Sequence, residues 1–189
     1  MSSTKTTIAI SGIKGSFSEE AAGKFLQDQH LDGQIIYATT ADTTFKTVLD
    51  GRAEYGLVPL ENSNGGIVYE TVYAMAKYTF TIKAIFEIDV QQNLIVRPGT
   101  RREDVRQIVS HQQALAQCRF YLKRGWQGVD MIEYADTALA AKDLADGNLE
   151  GNTAVIASKA AAKLFELEIL EPSIQDLKFN FTAFLAFTR

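Results

Sequence analysis

The sequence has 189 residues, of which 46% are hydrophobic and 22% charged, and its formal net charge is −4. These values are typical of one globular domain, or of one domain built from two small lobes, and they argue against disorder. The longest basic run is the pair Arg101-Arg102, so no nucleic-acid-binding surface is indicated. No apolar stretch could span a membrane, and the first seven residues do not resemble a signal peptide. We therefore expect a cytoplasmic protein that binds neither nucleic acid nor membrane.

Cofactor and metal sites are not indicated either. Cys118 is the single cysteine, so an internal disulfide and a cysteine-cluster metal site are excluded. His30 and His111 are far apart and have no ligand-spaced partner. Gly12 and Gly15 fit neither the phosphate-loop nor the dinucleotide pattern. We expect no cofactor and no metal.

In the first part of the chain, short apolar runs alternate with segments of helical period, which predicts a mostly parallel sheet with covering helices. A helix is predicted to begin near Ser18, whose hydroxyl would cap the amides of Glu20 and Ala21. Two further helices are predicted, one around Phe45–Leu49 that ends at Gly51 and one over Val68–Lys77. The predicted strands are Thr7–Ser11, Gln34–Ala38 and Tyr55–Pro59, and the predicted turns are Gly12–Gly15 and Glu61–Gly66.

The segment Thr81–Arg97 is β-rich and contains no helix, which we interpret as the crossing between two lobes. A second series follows, with strands at Gln107–Ser110, Val129–Tyr134 and Thr153–Ala157 and helices at Gln113–Lys123, Ala138–Ala145 and Lys159–Phe165. The strand-like Phe179–Phe187 is expected to return to the first lobe. We predict an α/β fold of two lobes, like a periplasmic binding protein, with an interlobe cleft. Lobe 1 would hold approximately residues 1–80 and 170–189 and lobe 2 approximately residues 85–168, with hinges near 78–98 and 165–182.

Polar residues stand at four predicted strand-to-helix turns, where free amides and the helix dipole favour anions. Each of them alone is more often an ordinary helix cap, but four in one small chain suggest a polar cleft for a carboxylate-rich ligand. The four turns are Gly15–Ser18, Glu61–Ser63, Ser110–Gln112 and Asp136-Thr137.

Two possible nucleophiles are weaker candidates. Cys118 follows His111 by seven residues, but it shares a predicted apolar helix face with Ala114 and Leu122 and is therefore a buried residue by default. Ser110-His111 lacks the glycines of a nucleophile elbow.

Several motifs, in order and over nearly the whole chain, resemble the prephenate dehydratase domain family. Gln112 stands where that family usually has proline, within Ser-His-Gln-Gln-Ala-Leu-Ala-Gln-Cys. The matching segments are Gly15–Ala22, Tyr55–Ser63, Ser110–Cys118, Ile174–Asp176 and Asn180–Phe184.

The resemblance implies that prephenate loses its ring carboxylate and its hydroxyl together and becomes phenylpyruvate, with no metal or cofactor. It places Thr182 as the proton donor, with Glu61, Asn62 and Ser63 as further catalytic residues. Ser16, Ser18, Ser110, His111, Gln113, Thr137, Asn180 and Phe184 are the expected substrate-binding residues. Apart from the resemblance, Thr182 would be an ordinary strand threonine, Glu61 a turn residue and Asn180 a loop brace.

Ala183 departs from the family, which has arginine there, and it cannot replace a bidentate carboxylate contact. Another cation could substitute, the candidates being Lys14, Arg97, Arg119 and Lys178. The resemblance also predicts a homodimer or higher homo-oligomer. Because the sequence ends shortly after Phe184, we expect no regulatory domain and no separate allosteric phenylalanine site.

Three functions stay open at this point. The first is prephenate or arogenate dehydration, and the second is decarboxylation of prephenate without aromatisation. The third is binding of a small carboxylate without catalysis.

Overall fold

The computed structural model of the protein describes residues 5–189, so the predictions made for residues 1–4, within lobe 1 and the amino-terminal segment, lie outside it. The strands are β1 (Thr6–Ile10), β2 (Gly33–Tyr37), β3 (Tyr55–Asn62), β4 (Gly66–Ile67), β5 (Thr81–Asp89), β6 (Asn93–Val96), β7 (Gln107–Ser110), β8 (Asp130–Glu133), β9 (Thr153–Ala157), β10 (Glu168–Glu171) and β11 (Phe181–Thr188). The α-helices are α1 (Phe17–Asp28), α2 (Ala41–Leu49), α3 (Tyr69–Met75), α4 (Gln112–Gln117), α5 (Arg119–Gly125), α6 (Thr137–Asp146) and α7 (Lys159–Leu164). Within this range no helix has the length and hydrophobicity needed to cross a bilayer.

The described residues form two compact units. Unit 1 contains residues 5–89 and Phe181–Arg189, and unit 2 contains Val90–Asn180. We expected the chain to return to lobe 1 near residue 170, but in the structure residues 170–180 still belong to unit 2. The physical reason is that β10 pairs with β6 and so extends the sheet of unit 2.

Unit 1 is built on a sheet in the order β2-β1-β3-β11-β5, with the short β4 beside β3. On one face, α1 covers the sheet, and the ring of Phe25 stacks 6.0 Å from that of Phe86. On the other face, α2 and α3 enclose a core in which the rings of Phe45 and Phe187 stack at 4.0 Å. The carboxyl-terminal strand β11 therefore lies inside the sheet, between two strands from the first half of the chain.

Unit 2 is built on a sheet in the order β10-β6-β9-β7-β8. Trp126, Leu122 and Cys118 belong to the core on one side, and Leu144 belongs to a second cluster with Val109. The single cysteine, Cys118, is completely buried, as its predicted apolar position indicated.

The α/β prediction with two sheets is confirmed, but the expectation of mostly parallel sheets is wrong. Parallel pairing is confined to β2-β1-β3 in one sheet and β9-β7-β8 in the other. The strands on either side of each passage between the units, β5 and β6 for the first and β10 and β11 for the second, run antiparallel to their neighbours. Consecutive parallel strands need a long crossover connection, usually an α-helix, and no helix lies between β5 and β6 or between β10 and β11.

Two local predictions also need correction. Helix α1 begins at Phe17, with Ser16 as its N-cap accepting from the Glu19 amide, so Ser18 lies inside the helix. Strand β3 continues to Asn62 because its last two residues pair with β4, so Glu61 and Asn62 are strand residues. The turn between β3 and β4 is accordingly shorter than predicted.

Candidate active site

The side chains of Asn62 and Thr182 meet where β3 and β11 pair. The two residues are direct partners in the antiparallel register, so their side chains stand on the same face of the sheet. Asn62 Nδ2 donates a hydrogen bond of 2.9 Å to Thr182 Oγ1 and another of 3.1 Å to the carbonyl of Phe181. Asn62 is 4% exposed and Thr182 9%, so little water competes for this bond.

The orientation of the Asn62 carboxamide is set by the turn that follows it. Its Oδ1 accepts from the amides of Asn64 at 3.0 Å and Gly65 at 2.8 Å. Because those two partners can only donate, the oxygen must face the turn and the nitrogen must face Thr182. Ser63 reinforces the arrangement, since its Oγ accepts from the Phe181 amide at 3.0 Å.

This geometry decides which way the Thr182 hydroxyl can act. Its oxygen accepts a hydrogen from Asn62, so its own hydrogen is left to be donated in another direction. A donor aimed at the oxygen also stabilises negative charge that develops there when the proton leaves. The bond from Asn62 Nδ2 to Thr182 Oγ1 has this geometry.

Glu61 and position 183 lie on the opposite face of the sheet from Thr182. In the register of β11, Ala183 stands between Glu61 of β3 and Glu87 of β5. Both carboxylates are exposed. An arginine at position 183 would thus start between two carboxylates and on the face away from Thr182.

The turn before α1 is braced by Glu19. Its carboxylate accepts from the Gly15 amide at 2.5 Å and from the hydroxyl of Tyr37. Burial, and then the bond to Glu19, raise the pKa of Tyr37 well above its ordinary value. Gly12 has a φ of +152°, and a Cβ there would lie 2.7 Å from Ser16 Oγ. Ser16, the N-cap, and Ser18, in the first turn of α1, are both buried and pack closely against the turn at Gly12.

In unit 2, four predicted site residues lie at the end of β7 and at the beginnings of α4 and α6. Ser110 is fully buried, and its Oγ donates to the Ile156 carbonyl at 2.6 Å. His111 is the N-cap of α4, with Nδ1 accepting from the Gln113 amide at 3.2 Å. Since Nδ1 accepts, a hydrogen on the neutral ring is carried by Nε2. Thr137 is the first residue of α6, which Asp136 caps.

Asn180 and Phe184 have internal partners. Asn180 is fully buried, and its Nδ2 donates to the carbonyl of Val90 and to Gln117 Oε1, each at 3.0 Å. Phe184 is 1% exposed and stacks on Phe86 at 6.3 Å. Both side chains are thus buried against other protein groups.

A buried amide network in unit 2 was not predicted as a site. Gln92 Nε2 donates to Gln117 Oε1 at 3.0 Å, and Gln175 Oε1 accepts from the Gln92 amide at 3.1 Å. Asp176 accepts from the amides of Phe120 at 2.7 Å and Tyr121 at 2.8 Å. The signal was present, because three of these residues lie in motifs quoted for the resemblance, but nothing in the sequence indicated which residues they contact.

Most of the cations considered as substitutes for the missing arginine already have contacts. Arg97 donates to the carbonyls of Leu144 at 2.9 Å and Leu149 at 3.1 Å. Lys178 Nζ lies 2.8 Å from the Ser173 carbonyl, and the Arg119 guanidinium lies 4.9 Å from the Phe120 ring centre. Lys14 is exposed in the turn before α1.

Comparison with known proteins places these features in a family. The family model of prephenate dehydratase matches residues 8–189. The chain is 34% identical, over all of its length, to arogenate dehydratase/prephenate dehydratase 6 of Arabidopsis thaliana, of which it covers 45%. It is 33% identical, over 94% of its length, to the bifunctional chorismate mutase/prephenate dehydratase of Pseudomonas aeruginosa, of which it covers 47%. The chain thus spans about half the length of the curated relatives it matches.

Solved structures also resemble this chain. The prephenate dehydratase of Arthrobacter aurescens, solved in complex with L-Phe, superposes with a TM-score of 0.88 at 27% identity, over 97% of this chain and 60% of that one. A periplasmic substrate-binding protein of an ABC transporter from Coxiella burnetii has the same fold, with a TM-score of 0.52 at 13% identity, over 97% of this chain and 84% of that one. On the match over residues 8–189 and on these likenesses, the chain belongs to the prephenate dehydratase family.

Proposed function

We propose that this chain catalyses the decarboxylative dehydration of prephenate to phenylpyruvate, a carbon–oxygen lyase reaction of phenylalanine biosynthesis. The observation that carries the proposal is the 2.9 Å bond from Asn62 Nδ2 to Thr182 Oγ1. It gives a buried strand threonine a fixed direction in which to donate its proton. Ordinary packing does not require that direction.

In the proposed step, the ring carboxylate leaves as carbon dioxide, and its electron pair enters the ring. The bond to the hydroxyl at the opposite ring carbon breaks, and the departing oxygen takes the proton of Thr182 and leaves as water. Threonine is a weak acid, so proton transfer follows the rise in basicity of the leaving oxygen. The developing charge on Thr182 Oγ1 is stabilised by Asn62, and water returns the proton. Ring aromatisation supplies the driving force.

We divide the other predicted residues into positioning residues and proposed ligands of the substrate. Ser63 and Glu61 flank Asn62, and Ser63 holds the backbone of Phe181, so we assign Ser63 to positioning. We assign Asn180 and Phe184 to positioning as well, because both are buried among protein partners. Ser16, Ser18, Ser110, His111, Gln113 and Thr137 stay proposed ligands of the substrate's carboxylates and hydroxyl.

Arogenate is a second candidate substrate, because the similar Arabidopsis protein is named for both arogenate and prephenate. The two differ by an amine in place of the side-chain ketone. We further propose a homo-oligomer in the cytoplasm, whereas that plant relative is named as chloroplastic.

One assay separates the open functions. The purified protein is incubated with prephenate, and separately with arogenate, while ultraviolet absorbance and product mass are followed. Phenylpyruvate from prephenate supports the proposal, and phenylalanine from arogenate would assign the second substrate. A non-aromatic product that has lost carbon dioxide would indicate decarboxylation alone. Binding of either acid without turnover would leave a binding protein.

A further inference from the structure

The turn between β3 and β4 contains the one Asn-Gly pair of the sequence, Asn64-Gly65. Both residues are exposed, so water reaches the pair. In such a pair the backbone nitrogen of the glycine attacks the asparagine side chain with unusual ease, because glycine has no Cβ to block the approach. Asparagine is also one of the residues that limit the lifetime of proteins on heating. Asn64 is therefore a candidate modification site, and the contacts of its turn decide how fast it reacts.

The reaction is intramolecular and consumes only water. The Gly65 nitrogen gives up its hydrogen and bonds to Cγ of Asn64, and the side-chain nitrogen of Asn64 leaves as ammonia. Water then opens the resulting succinimide ring at either of its carbonyls. One opening gives aspartate in a normal main chain. The other gives isoaspartate, in which the main chain runs through Cβ and is longer by one atom.

Asn62 holds the hydrogen that must leave in the first step. The Gly65 amide donates to Asn62 Oδ1 at 2.8 Å and to the Asn62 carbonyl at 3.2 Å. Asn62 is only 4% exposed, so little water competes for its Oδ1. The Gly65 nitrogen has to lose these bonds before it can attack, which raises the barrier. The carboxamide that donates to Thr182 thus also opposes the reaction of Asn64.

The product of the reaction would disturb the pair of Asn62 and Thr182. Asn62 Oδ1 accepts from the amides of Asn64 at 3.0 Å and Gly65 at 2.8 Å. An isoaspartate at position 64 changes the spacing of these two amides, so they can no longer both reach the same oxygen. The turn then no longer sets the orientation of the carboxamide, and a rotated carboxamide presents its oxygen to Thr182. A change at an exposed turn residue would in this way reach a buried pair.

We propose that Asn64 is a site of spontaneous deamidation that inactivates the enzyme, and that Asn62 Oδ1 retards the reaction. The loss of activity rests on the proposed function, whereas the chemical change at Asn64 does not. The two parts therefore have separate measurements.

Peptide mass spectrometry after incubation at mildly alkaline pH measures the reaction at Asn64 directly. Asn62→Ala removes the acceptor and should speed conversion about fivefold or more, the factor that corresponds to one ordinary hydrogen bond. Asn62→Asp keeps an oxygen that accepts from both amides, so it should convert at the wild-type rate. Thermal unfolding shows whether each variant is folded.

The unfolded wild-type chain in denaturant gives the rate without the turn, and the folded wild type should be slower. This comparison stands even if Asn62→Ala does not fold. Equal rates in the folded and unfolded wild type, or in folded wild type and folded Asn62→Ala, would overturn the protective role of Asn62. No conversion of the folded wild type over many half-lives of the unfolded chain would overturn the modification site.

The matched control for inactivation is Asn64→Gln, whose longer side chain would have to close a larger ring and should not convert in the same period. As the wild type ages, its turnover of prephenate should fall in step with the fraction of unmodified Asn64. Asn64→Gln, normalised to its own starting turnover, should stay constant. Full turnover in converted wild type, or loss of activity in Asn64→Gln at the wild-type rate, would overturn the inactivation. A chain that turns over neither acid would refute the proposed function, and the mass measurement would still decide the chemical part.

Discussion

Asn62 Nδ2 lies 2.9 Å from Thr182 Oγ1, although 120 residues separate the two along the chain. If this bond directs the proton of Thr182, Thr182→Ala should lower turnover of prephenate by about 10²–10⁴-fold, the usual range for a positioned acid, with little change in KM. Thr182→Ser keeps the hydroxyl and should keep part of the activity. Steady-state kinetics measures both. Thr188→Ala, at the other end of β11, is the matched control and should leave turnover unchanged.

Asn62→Asp probes the direction of the same bond with almost no change of shape. An aspartate oxygen would accept the hydrogen of Thr182, so the proton would be held away from the substrate. We expect a loss of turnover comparable to that of Thr182→Ala, with recovery at low pH as the carboxyl becomes protonated. Wild-type turnover in Asn62→Asp at neutral pH would contradict the role assigned to Asn62.

Ala183→Arg separates a structural reading of the family's arginine from a substrate-binding one. Residue 183 lies on the face away from Thr182 and between Glu61 and Glu87. We expect the arginine to stabilise unit 1 by about 0.2–1 kcal/mol for each cross-strand pair, less at high salt, and to leave KM unchanged. Chemical denaturation and kinetics measure the two effects. Ala183→Gln is the uncharged control, and a lower KM in Ala183→Arg alone would return the position to substrate binding.

Two glycines should respond to alanine in opposite directions. Gly56 faces the ring of Phe187, and a Cβ there would lie 2.2 Å from Phe187 Cζ, so Gly56→Ala should destabilise the protein by about 1–3 kcal/mol. Gly23 lies inside α1, and a Cβ there would meet nothing within 4 Å. Gly23→Ala should stabilise by about 0.5–1 kcal/mol. Thermal or denaturant unfolding of both variants checks the pair, and equal signs would be inconsistent with the packing described.

These positions also show what could be predicted from the sequence. The strands that flank Asn62 and Thr182 are apolar runs with clear periodicity, so their existence followed from local pattern. The pairing of Asn62 with Thr182 could not be predicted from local pattern. The register between strands 120 residues apart is set by the packing of the whole sheet. Family resemblance supplied the two residues, and the structure supplied the bond between them.

The helix predicted over Gln113–Lys123 shows a different limit. It breaks at Cys118 into α4 and α5 because Asp176, from a distant segment, accepts from the amides that begin α5. A cap supplied from more than fifty residues away leaves no mark in the local sequence. The same holds for the partners that bury Asn180 and Phe184, two residues expected at a ligand surface.

Cys118 should make stability depend on alkaline pH. Burial raises the pKa of its thiol from 9.0 to about 12, so above pH 9 the unfolded chain releases a proton that the folded chain keeps. The free energy of unfolding should therefore fall between about pH 9 and 12, and Cys118→Ala should show a shallower fall. The native thiol should also react with a thiol reagent only on unfolding. Rapid modification at pH 8 in the native state would contradict this.

The position of β11 between β3 and β5 has a consequence for biosynthesis. Because the strand that carries Thr182 follows unit 2 along the chain, the sheet of unit 1 cannot close while the ribosome is still making residues 90–180. Unit 2 is continuous in sequence and can fold first, during translation. Until β11 has been made, β3 and β5 lack the strand that pairs between them. We therefore expect a released chain that ends at Asn180 to hold an ordered unit 2 and to have no activity. The strand that carries the proposed acid then joins unit 1 only after unit 2 has been made.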